Sequence, residues 1–258
     1  MTELLFNNDA YLTQSEAVVT NVDQNSIQLN RTIFYAESGG QPGDQGEIIL
    51  GDQIYKVTDT QKGNSPNEII HLVDGDIDQS IVGKECEIKI DWELRQSHMR
   101  MHTSCHILCS LIDALITGAS VGAQKSRVDF DVDPSLLDKE AMNQQIDEII
   151  KNNFPVFTKQ ISGDEFRDNS HLAKGAAVSP PIIDNKVQIV QIGDDKILDI
   201  QACGGTHVKS TGEIEGLEIG KIENKGKRNR RVNISCLLYT SDAADEGLGV
   251  DLGGRRII

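Results

Sequence analysis

A change of periodicity at Asp91 divides this sequence and is the feature that most constrains how the chain can fold. Before Asp91, hydrophobic and polar residues alternate over short stretches, which is the period of a β-strand, and turn residues such as Gly51-Asp52 and Asp74-Gly75 separate the stretches. The alternating stretches are residues 17–22, 27–29, 48–50, 54–57, 69–73 and 86–90. Several short strands at this close spacing are typical of a small barrel or sandwich, and we predict a β-barrel over residues 1–91.

From Asp91 onward the pattern is that of helices. Asp91 can cap a helix whose hydrophobic residues recur at helical spacing as far as Leu115, and we expect Gly118 to end it. A second helix is predicted to begin at Asp133-Pro134, where a capping residue precedes a proline at the first helical position. Its hydrophobic face would be formed by Met142, Ile146, Ile149 and Ile150.

Two strands and an atypical tail complete the chain. Residues 186–192 and 196–200 are predicted strands, joined through residues 193–195 as a hairpin. The expected fold class is therefore α+β, with the barrel followed by an α+β domain over residues 92–235. The last residues, 236–258, begin with Cys236-Leu-Leu-Tyr-Thr-Ser and resemble the translation of a transposase sequencing adapter, so we expect them to be a non-native tail.

Composition narrows the class of protein. Hydrophobic residues make up 38% of the chain and charged residues 25%, as in soluble globular proteins. No hydrophobic run approaches the ~18 residues that a membrane span requires. The first residues also lack the basic and hydrophobic regions of a secretory signal, so we expect a cytoplasmic protein with free thiols and no membrane partner.

The charge distribution bears on nucleic acids. A net charge of −15 argues against DNA as a partner and against nonspecific coating of nucleic acid, because phosphate binding depends on many Lys and Arg contacts. One dense basic cluster nevertheless lies between residues 221 and 231, and its main members are Lys225, Arg228, Arg230 and Arg231. Such a cluster is typical either of a solvated loop or of a contact with RNA.

Two pairs of metal-binding side chains point to one zinc ion per chain. His102 and His106 are four residues apart on the predicted first helix, so their imidazoles project from one face. Cys203 and His207 enclose a glycine turn directly after a predicted strand. Each pair alone is also compatible with packed or surface residues. Together they offer three nitrogens and one sulfur, a set that suits zinc better than magnesium or calcium.

The spacing of the four residues indicates the kind of zinc site. Because the two pairs lie far apart in sequence, the site can form only after the domain has folded, which favours a working site in a cleft over a zinc finger. Four protein ligands would fill a tetrahedral shell, so catalysis would require an expanded shell or a ligand that yields. Thr103 stands where a metalloprotease motif has glutamate, and the deaminase motif is also missing, which argues against both chemistries.

A glycine-rich loop, Ser38-Gly39-Gly40-Gln41, follows an earlier predicted strand. Its glycines permit close approach of a ligand and Gln41 offers both donor and acceptor, although a plain hairpin turn has the same appearance. Taken with His102-Thr-Ser-Cys-His106 and Cys203-Gly-Gly-Thr-His207, the loop resembles the editing region of alanyl-tRNA synthetase and of the freestanding AlaX-type trans-editing proteins. The resemblance covers most of residues 1–235, including 4–44, 95–108, 125–130 and 225–232.

The resemblance implies a zinc-dependent hydrolase that removes serine, and in some members glycine, from mischarged alanine tRNA. It implies that residues 92–235 form an antiparallel sheet packed with helices, and that the zinc ligands are His102, His106, Cys203 and His207. The ion would polarise the ester and position it for attack by water. The aminoacylation and tRNA-recognising domains of the synthetase would lie outside this stretch, so the chain is expected to edit tRNA and not to charge it.

The resemblance also implies further site residues. Gln41, with Gly39 and Gly40, would line the substrate pocket. Gln41 and Thr103 are the candidate catalytic and substrate-binding residues, since a polar group that pairs with the serine hydroxyl would be left unsatisfied by alanine. Arg127 would meet the terminal phosphate of the tRNA. Lys225, Arg228, Arg230 and Arg231 would guide the acceptor stem through phosphate contacts, which position the RNA but do not specify its sequence.

Two other functions remain open from sequence. One is an editing domain of the threonyl-tRNA synthetase type, which has a similar His and Cys/His set. The other is a noncatalytic tRNA-binding module with a structural zinc, a reading favoured by the four filled ligand positions and by the lack of an identified general base. An unrelated metallohydrolase of small esters is less attractive because of the basic cluster.

Overall fold

The computed structural model describes residues 2–65, 67–169, 172–175, 182 and 185–236, and all statements below refer to these residues. The α-helices are α1 (Trp92–Leu111), α2 (Lys139–Asn152) and α3 (Gly163–Asp168). The first eight strands are β1 (Glu3–Leu4), β2 (Gln14–Asp23), β3 (Ser26–Leu29), β4 (Arg31–Thr32), β5 (Gly46–Leu50), β6 (Gln53–Lys62), β7 (Ile69–Val73) and β8 (Glu85–Ile90). The remaining strands are β9 (Leu115–Ser120), β10 (Lys125–Asp131), β11 (Val156–Ser162), β12 (Lys186–Ile192), β13 (Asp199–Ala202), β14 (Leu217–Asn224) and β15 (Asn229–Cys236).

The predicted barrel is confirmed. Strands β2, β3, β7, β6, β5 and β8 form a closed antiparallel barrel in that order. Alternate residues of each strand face its interior, so Val19, Ile27, Ile48, Val57 and Ile88 are all buried in one core. The closed arrangement pairs every barrel strand on both sides, which removes open sheet edges.

The second part of the molecule is α+β, as predicted. Helices α1 and α2 pack on a four-stranded antiparallel sheet of order β14-β15-β10-β9, and a three-stranded sheet of order β11-β12-β13 lies beside α1. A second hydrophobic core lies between these elements and includes Leu108, Phe130, Ile146 and Val232. Within the described part of the chain, no helix is both long and apolar enough to cross a membrane.

Helix α1 begins as predicted and ends earlier. The Asp91 carboxylate accepts a hydrogen bond from the Leu94 N–H and caps the helix, but the last helical residue is Leu111 and not a residue near Gly118. Residues 115–120 instead form β9, in which Ile116 pairs with Phe130 of β10. Pairing with an existing strand satisfies this segment's backbone groups and places its β-branched residues on a sheet, which outweighs the local helical period.

The second helix and the last hairpin also differ from prediction. Asp133-Pro134 starts only a short 3-10 turn, and α2 begins at Lys139 because Asp138 accepts from two backbone N–H groups and provides the stronger cap. Residues 196–198 are not part of a strand. Gly193 adopts a left-handed conformation (φ 91°) and the Leu198 N–H bonds the Ile192 carbonyl, so β13 starts at Asp199 after a longer loop.

A buried ion pair joins α1 to the barrel. The Arg95 guanidinium, fully buried at the start of α1, donates to both oxygens of Asp44, which is 2% exposed. Arg95 also donates to the carbonyls of Ile33 and Ala10. The helix is therefore fixed relative to the segment that carries the glycine-rich loop.

The predicted tail falls almost wholly outside the described residues. Its first residue, Cys236, is the last residue of β15, where its N–H bonds the Gln124 carbonyl. Residues 237–258 lie outside the part of the chain that the structure describes.

Candidate metal centre and substrate cavity

The four predicted metal ligands lie together. His102 and His106 come from successive turns of α1, and Cys203 and His207 come from the loop that follows β13. Their potential ligand atoms all lie within 4.8 Å of one another, and the three histidines are buried. The Cys203 Sγ is 3.3 Å from His102 Nε2 and 3.4 Å from His207 Nε2.

Each imidazole is held through its Nδ1 atom by an oxygen acceptor. His102 Nδ1 lies 2.8 Å from Gln41 Oε1, and His106 Nδ1 lies 2.9 Å from Asp199 Oδ2. His207 Nδ1 lies 3.1 Å from the Thr103 hydroxyl. Hydrogen bonding at Nδ1 assigns the proton of a neutral imidazole to that atom and leaves the Nε2 lone pair free for a metal.

The tight loop between Cys203 and His207 depends on glycine. A side chain at Gly205 would place its Cβ 2.1 Å from His102 Cε1 and 3.0 Å from Gln41 Oε1. Any residue other than glycine would clash at this position, because a Cβ atom does not approach another atom so closely in real structures. Gly205 therefore allows the loop to reach the face of His102.

Charges in the cluster favour a bound cation. Burial disfavours the Cys203 thiolate, but the attraction of His102 and His207 outweighs it, and the pKa of this thiol is well below its usual value. Burial would lower the pKa of His106, but its hydrogen bonds to Asp199 and Cys203 prevail and raise it to about 10. Burial lowers the pKa of His207 to about 3. The thiolate is the form of cysteine that binds a metal, so the low pKa of this thiol favours a bound cation.

The residues fit zinc. Three imidazole nitrogens and one thiolate are a preferred zinc donor set, and tetrahedral zinc would place its nitrogen and sulfur ligands about 3.5 Å apart. The measured separations of Cys203 Sγ from two imidazoles, 3.3 and 3.4 Å, agree with this spacing. The oxygen acceptors at each Nδ1 complete the outer shell that such ligands need.

A cavity of about 500 Å³ lies against the metal centre. His102, His106 and Cys203 line it together with hydrophobic residues, among them Ile116, Val121 and Val128. Gly39 and Gly40 of the glycine-rich loop also line this cavity. A Cβ at Gly40 would lie 2.9 Å from the Ala119 carbonyl, so this loop packs closely on β9 and closes the cavity from the barrel side.

Gln41 and Thr103 lie behind the metal ligands. Both side chains are fully buried, and neither is among the residues that line the cavity. Gln41 Nε2 donates to the Thr206 hydroxyl while its Oε1 accepts from His102. The Thr103 hydroxyl accepts from the Val208 N–H in addition to its contact with His207. The geometry suits these two residues to positioning ligands.

Arg127 and the basic cluster share one sheet. Arg127 on β10 donates to Asp129, and Asp129 also accepts two hydrogen bonds from Arg231 on β15. The side chains of Arg127 and Asp129 lie close to Gly118, which lines the cavity, but neither Arg127 nor Asp129 is among the lining residues. Arg228 and Arg230 lie on or beside the β14–β15 hairpin, together with Lys225, which pairs with Glu223. The basic side chains therefore extend from β10 to the hairpin tip, with carboxylates between them.

The sequence interpretation missed Asp199, Gln201 and Lys174. Asp199 is fully buried and bonds His106, Gln201 and Lys174. A signal for the first two was present, because Asp199, Gln201 and Cys203 alternate along one strand and its continuation and so share a face. Nothing in the local pattern indicates Lys174.

Two family models match this chain. The model of the threonyl and alanyl tRNA synthetase second additional domain matches residues 187–233. The model of class II (A) tRNA synthetases matches residues 7–94. The first match contains Cys203 and His207, and the second contains the glycine-rich loop.

Individual relatives cover nearly the whole chain. The chain is 37% identical to the alanyl-tRNA editing protein AlaX-M of Methanosarcina acetivorans, across 92% of this chain and 100% of the relative. It is 32% identical to the alanyl-tRNA editing protein AlaX-L of Pyrococcus horikoshii, across 92% of this chain and 58% of the relative. It is also 34% identical to the alanine–tRNA ligase of Pyrobaculum calidifontis, across 86% of this chain and 25% of that larger protein.

Proposed function

Because this chain belongs to the AlaX family of alanyl-tRNA editing proteins, we propose that it hydrolyses the ester of mischarged alanine tRNA in trans, with seryl-tRNA as the main substrate and glycyl-tRNA as a second candidate. The observation that carries the proposal is the cluster of three buried histidines and one half-buried cysteine, placed against a cavity of about 500 Å³. Such a volume lies within the range of small-ligand pockets.

We propose that His102, His106, Cys203 and His207 hold one zinc ion per chain. The ion would supply a Lewis acid beside the ester. Gln41, Asp199 and Thr103 fix the imidazole orientations through their contacts at Nδ1. In this proposal Gln41 and Thr103 are positioning residues, in place of the direct substrate contacts predicted from sequence.

The cavity would hold the aminoacyl end of the tRNA. Its hydrophobic lining, which includes Ile116, Val121 and Val128, would contact nonpolar parts of the substrate, while the glycine-rich loop would bring backbone groups close to it. In this proposal Arg127, which lies near the cavity-lining Gly118, would meet a phosphate near the end of the tRNA.

The acceptor stem would continue along the sheet that carries the basic cluster. Arg231 shares Asp129 with Arg127, and Lys225, Arg228 and Arg230 follow toward the hairpin tip. Phosphate contacts of this kind position the RNA and make binding sensitive to salt.

An editing domain of the threonyl-tRNA synthetase type is less well supported, and so is a purely structural zinc. The relatives described above are named for alanyl-tRNA editing or alanine–tRNA ligation, which favours alanine tRNA as the substrate. A structural zinc needs no adjoining space, whereas here the ligands border the cavity. We therefore favour a zinc centre that takes part in hydrolysis.

A deacylation assay tests the substrate. Seryl-tRNA made on alanine and on threonine acceptors, and alanyl-tRNA, are incubated with the protein, and release of the amino acid is followed. We expect hydrolysis of seryl-tRNA on the alanine acceptor and little hydrolysis of alanyl-tRNA. Hydrolysis of the threonine acceptor alone would overturn the alanine assignment.

Metal content measured on the same preparations tests the role of zinc. We expect one zinc per chain, and we expect His106→Ala to lose the metal and at least about 100-fold in rate, since metal catalysis contributes several kcal/mol. If the folded variant loses zinc yet hydrolyses seryl-tRNA at the normal rate, the metal is structural.

A further inference from the structure

Lys174 has a charged side chain in the cavity wall and is not one of the four proposed metal ligands. Among the described residues that line the cavity, it is the only lysine or arginine. Its side chain lines the cavity and is 32% exposed, so the surrounding protein does not enclose it completely. A partly buried cation is costly unless it has partners.

The position of Lys174 is fixed at both ends. Its backbone carbonyl accepts from the Ile116 N–H at 3.1 Å, next to a bridge between Ile116 and Gly175. Its Nζ donates to Asp199 Oδ1 at 2.5 Å. Within the described part of the chain, Asp199 is the only protein acceptor for this ammonium. An ammonium has three N–H donors, so two remain for a molecule in the cavity.

Asp199 connects Lys174 to the metal centre. Its Oδ2 accepts from His106 Nδ1 at 2.9 Å and from Gln201 Nε2 at 2.8 Å, while its Oδ1 accepts from Lys174. The carboxylate is fully buried, and three donors prevent it from rotating. The free N–H groups of Lys174 therefore have a defined position relative to the metal ligand His106.

We propose that Lys174 is a substrate-binding residue, whose ammonium donates hydrogen bonds to an oxygen of the aminoacyl-nucleotide in the cavity. This proposal rests on the proposed function. The oxygen belongs either to a phosphate or to the ribose and ester, since both are acceptors that an ammonium recognises. Asp199 keeps the ammonium in place and, through His106, sets its position relative to the reacting ester.

Equilibrium binding tests the contact without relying on hydrolysis. The probes are 3′-serylamino-3′-deoxyadenosine, in which an amide replaces the ester, with and without a 5′-phosphate. They are titrated calorimetrically into zinc-loaded wild type, Lys174→Met and Lys174→Arg. Lys159→Met is the matched control, because Lys159 is an exposed lysine of β11 and does not line the cavity.

We expect Lys174→Met to weaken binding about 10-fold or more, since a hydrogen bond to a charged group contributes about 1.5–3 kcal/mol. Loss for both probes assigns the contact to the ribose or aminoacyl oxygens, and loss for the phosphorylated probe alone assigns it to the phosphate. Lys174→Arg keeps the charge and should stay within about threefold of wild type. Lys159→Met should bind both probes as wild type does.

Kinetics and metal content separate substrate binding from a purely structural role. With seryl-tRNA, Lys174→Met should raise KM about 10-fold or more while kcat changes less, because the lost contact is made before the reaction begins. The zinc content should stay at one per chain. The proposal is overturned if Lys174→Met binds both probes as tightly as wild type, or if the variant loses zinc and regains probe binding when zinc is restored.

Failure of the proposed function has a different signature. If wild type binds the probes but hydrolyses no seryl-tRNA, the editing reaction is wrong, while weaker binding by Lys174→Met still supports the Lys174 contact. If wild type binds neither probe, the contact proposed for Lys174 is wrong.

Discussion

At the scale of single residues, the orientation of three imidazoles determines what the centre can bind. Gln41, Asp199 and Thr103 each place an oxygen at the Nδ1 of one histidine. A neutral imidazole has one N–H, so this arrangement turns all three Nε2 lone pairs toward the centre. The cluster is preorganised for a metal by neutral and acidic acceptors that do not themselves line the cavity.

Gly205 is predicted to be essential for this arrangement. In Gly205→Ala, the new Cβ would meet His102 at 2.1 Å, so the ring or the loop must move away from the centre. We expect at least about a 10-fold loss of zinc affinity, comparable to loss of an outer-shell contact. Competition with a chelating indicator measures it.

The matched control is Gly220→Ala on β14. There the nearest atom to an added Cβ would be the Asn233 carbonyl oxygen at 3.5 Å, which is ordinary contact. Zinc affinity should be unchanged. Equal affinities in wild type and Gly205→Ala would contradict the proposed need for glycine beside His102.

His71 predicts how the barrel responds to acid. It is fully buried, with Nε2 2.9 Å from the Thr32 hydroxyl and Nδ1 2.9 Å from the Ile27 carbonyl. Burial lowers the pKa of His71 from 6.5 to about 4. Between these values the unfolded chain binds a proton that the folded protein does not, so stability is complete above pH 6.5 and falls as the pH drops toward 4.

The expected loss from His71 is about 2 kcal/mol between pH 7 and pH 5. Denaturant unfolding of wild type and His71→Gln at both pH values measures it. Other groups, including the metal ligands, also titrate, so the relevant quantity is the difference between the two proteins. Identical pH dependence in both would show that His71 is not the cause.

At the scale of elements, the Arg95–Asp44 ion pair connects the barrel to α1. Arg95→Met removes a fully buried guanidinium and leaves Asp44 without its partner. We expect a loss of about 3–5 kcal/mol in the free energy of unfolding, because an unpaired buried charge is costly. Chemical denaturation of the zinc-loaded protein measures this loss.

The double variant Arg95→Met/Asp44→Asn provides the control. It removes both charges, so its loss of stability should be smaller than the sum of the two single losses. Additive losses would mean that the two side chains do not stabilise each other.

Local sequence patterns were sufficient to predict some of these elements. Alternation of hydrophobic and polar residues predicted the barrel strands, and the Asp91 cap predicted the start of α1, because both signals depend on neighbouring residues. The predicted end of α1 was wrong, because residues 115–120 pair with another strand, as Ile116 does with Phe130, and the local pattern does not show that partner. The predicted start of α2 was wrong because Asp133 and Asp138 both cap a backbone N–H, and Asp138 accepts from one more N–H group than Asp133.

At the scale of the whole molecule, the metal centre ties segments together that are far apart in the chain. His102 and His106 belong to α1, while Cys203 and His207 follow β13. A metal that binds only this folded arrangement stabilises it by mass action, by about 4 kcal/mol when free zinc is 1,000 times its Kd. We therefore expect Tm to rise with free zinc and to fall after chelation.

Calorimetry over a range of buffered zinc concentrations measures this linkage. His106→Ala should have a Tm that responds much less to zinc, since one ligand is missing. A wild-type Tm that does not depend on zinc would argue against binding at this cluster.

The division into domains at Asp91 and the roles of the individual site residues stay predictions. The sequence alone determined the fold class and the chemical identity of the four donors, because strand period, helix capping and the choice of His and Cys are local properties. The tertiary structure decided which nitrogen of each imidazole is free, that Gln41 and Thr103 lie behind the ligands, and that Asp199 joins Lys174 to His106. These contacts join segments that meet only when the chain folds, and hydrogen bonds depend on distances that no local pattern encodes.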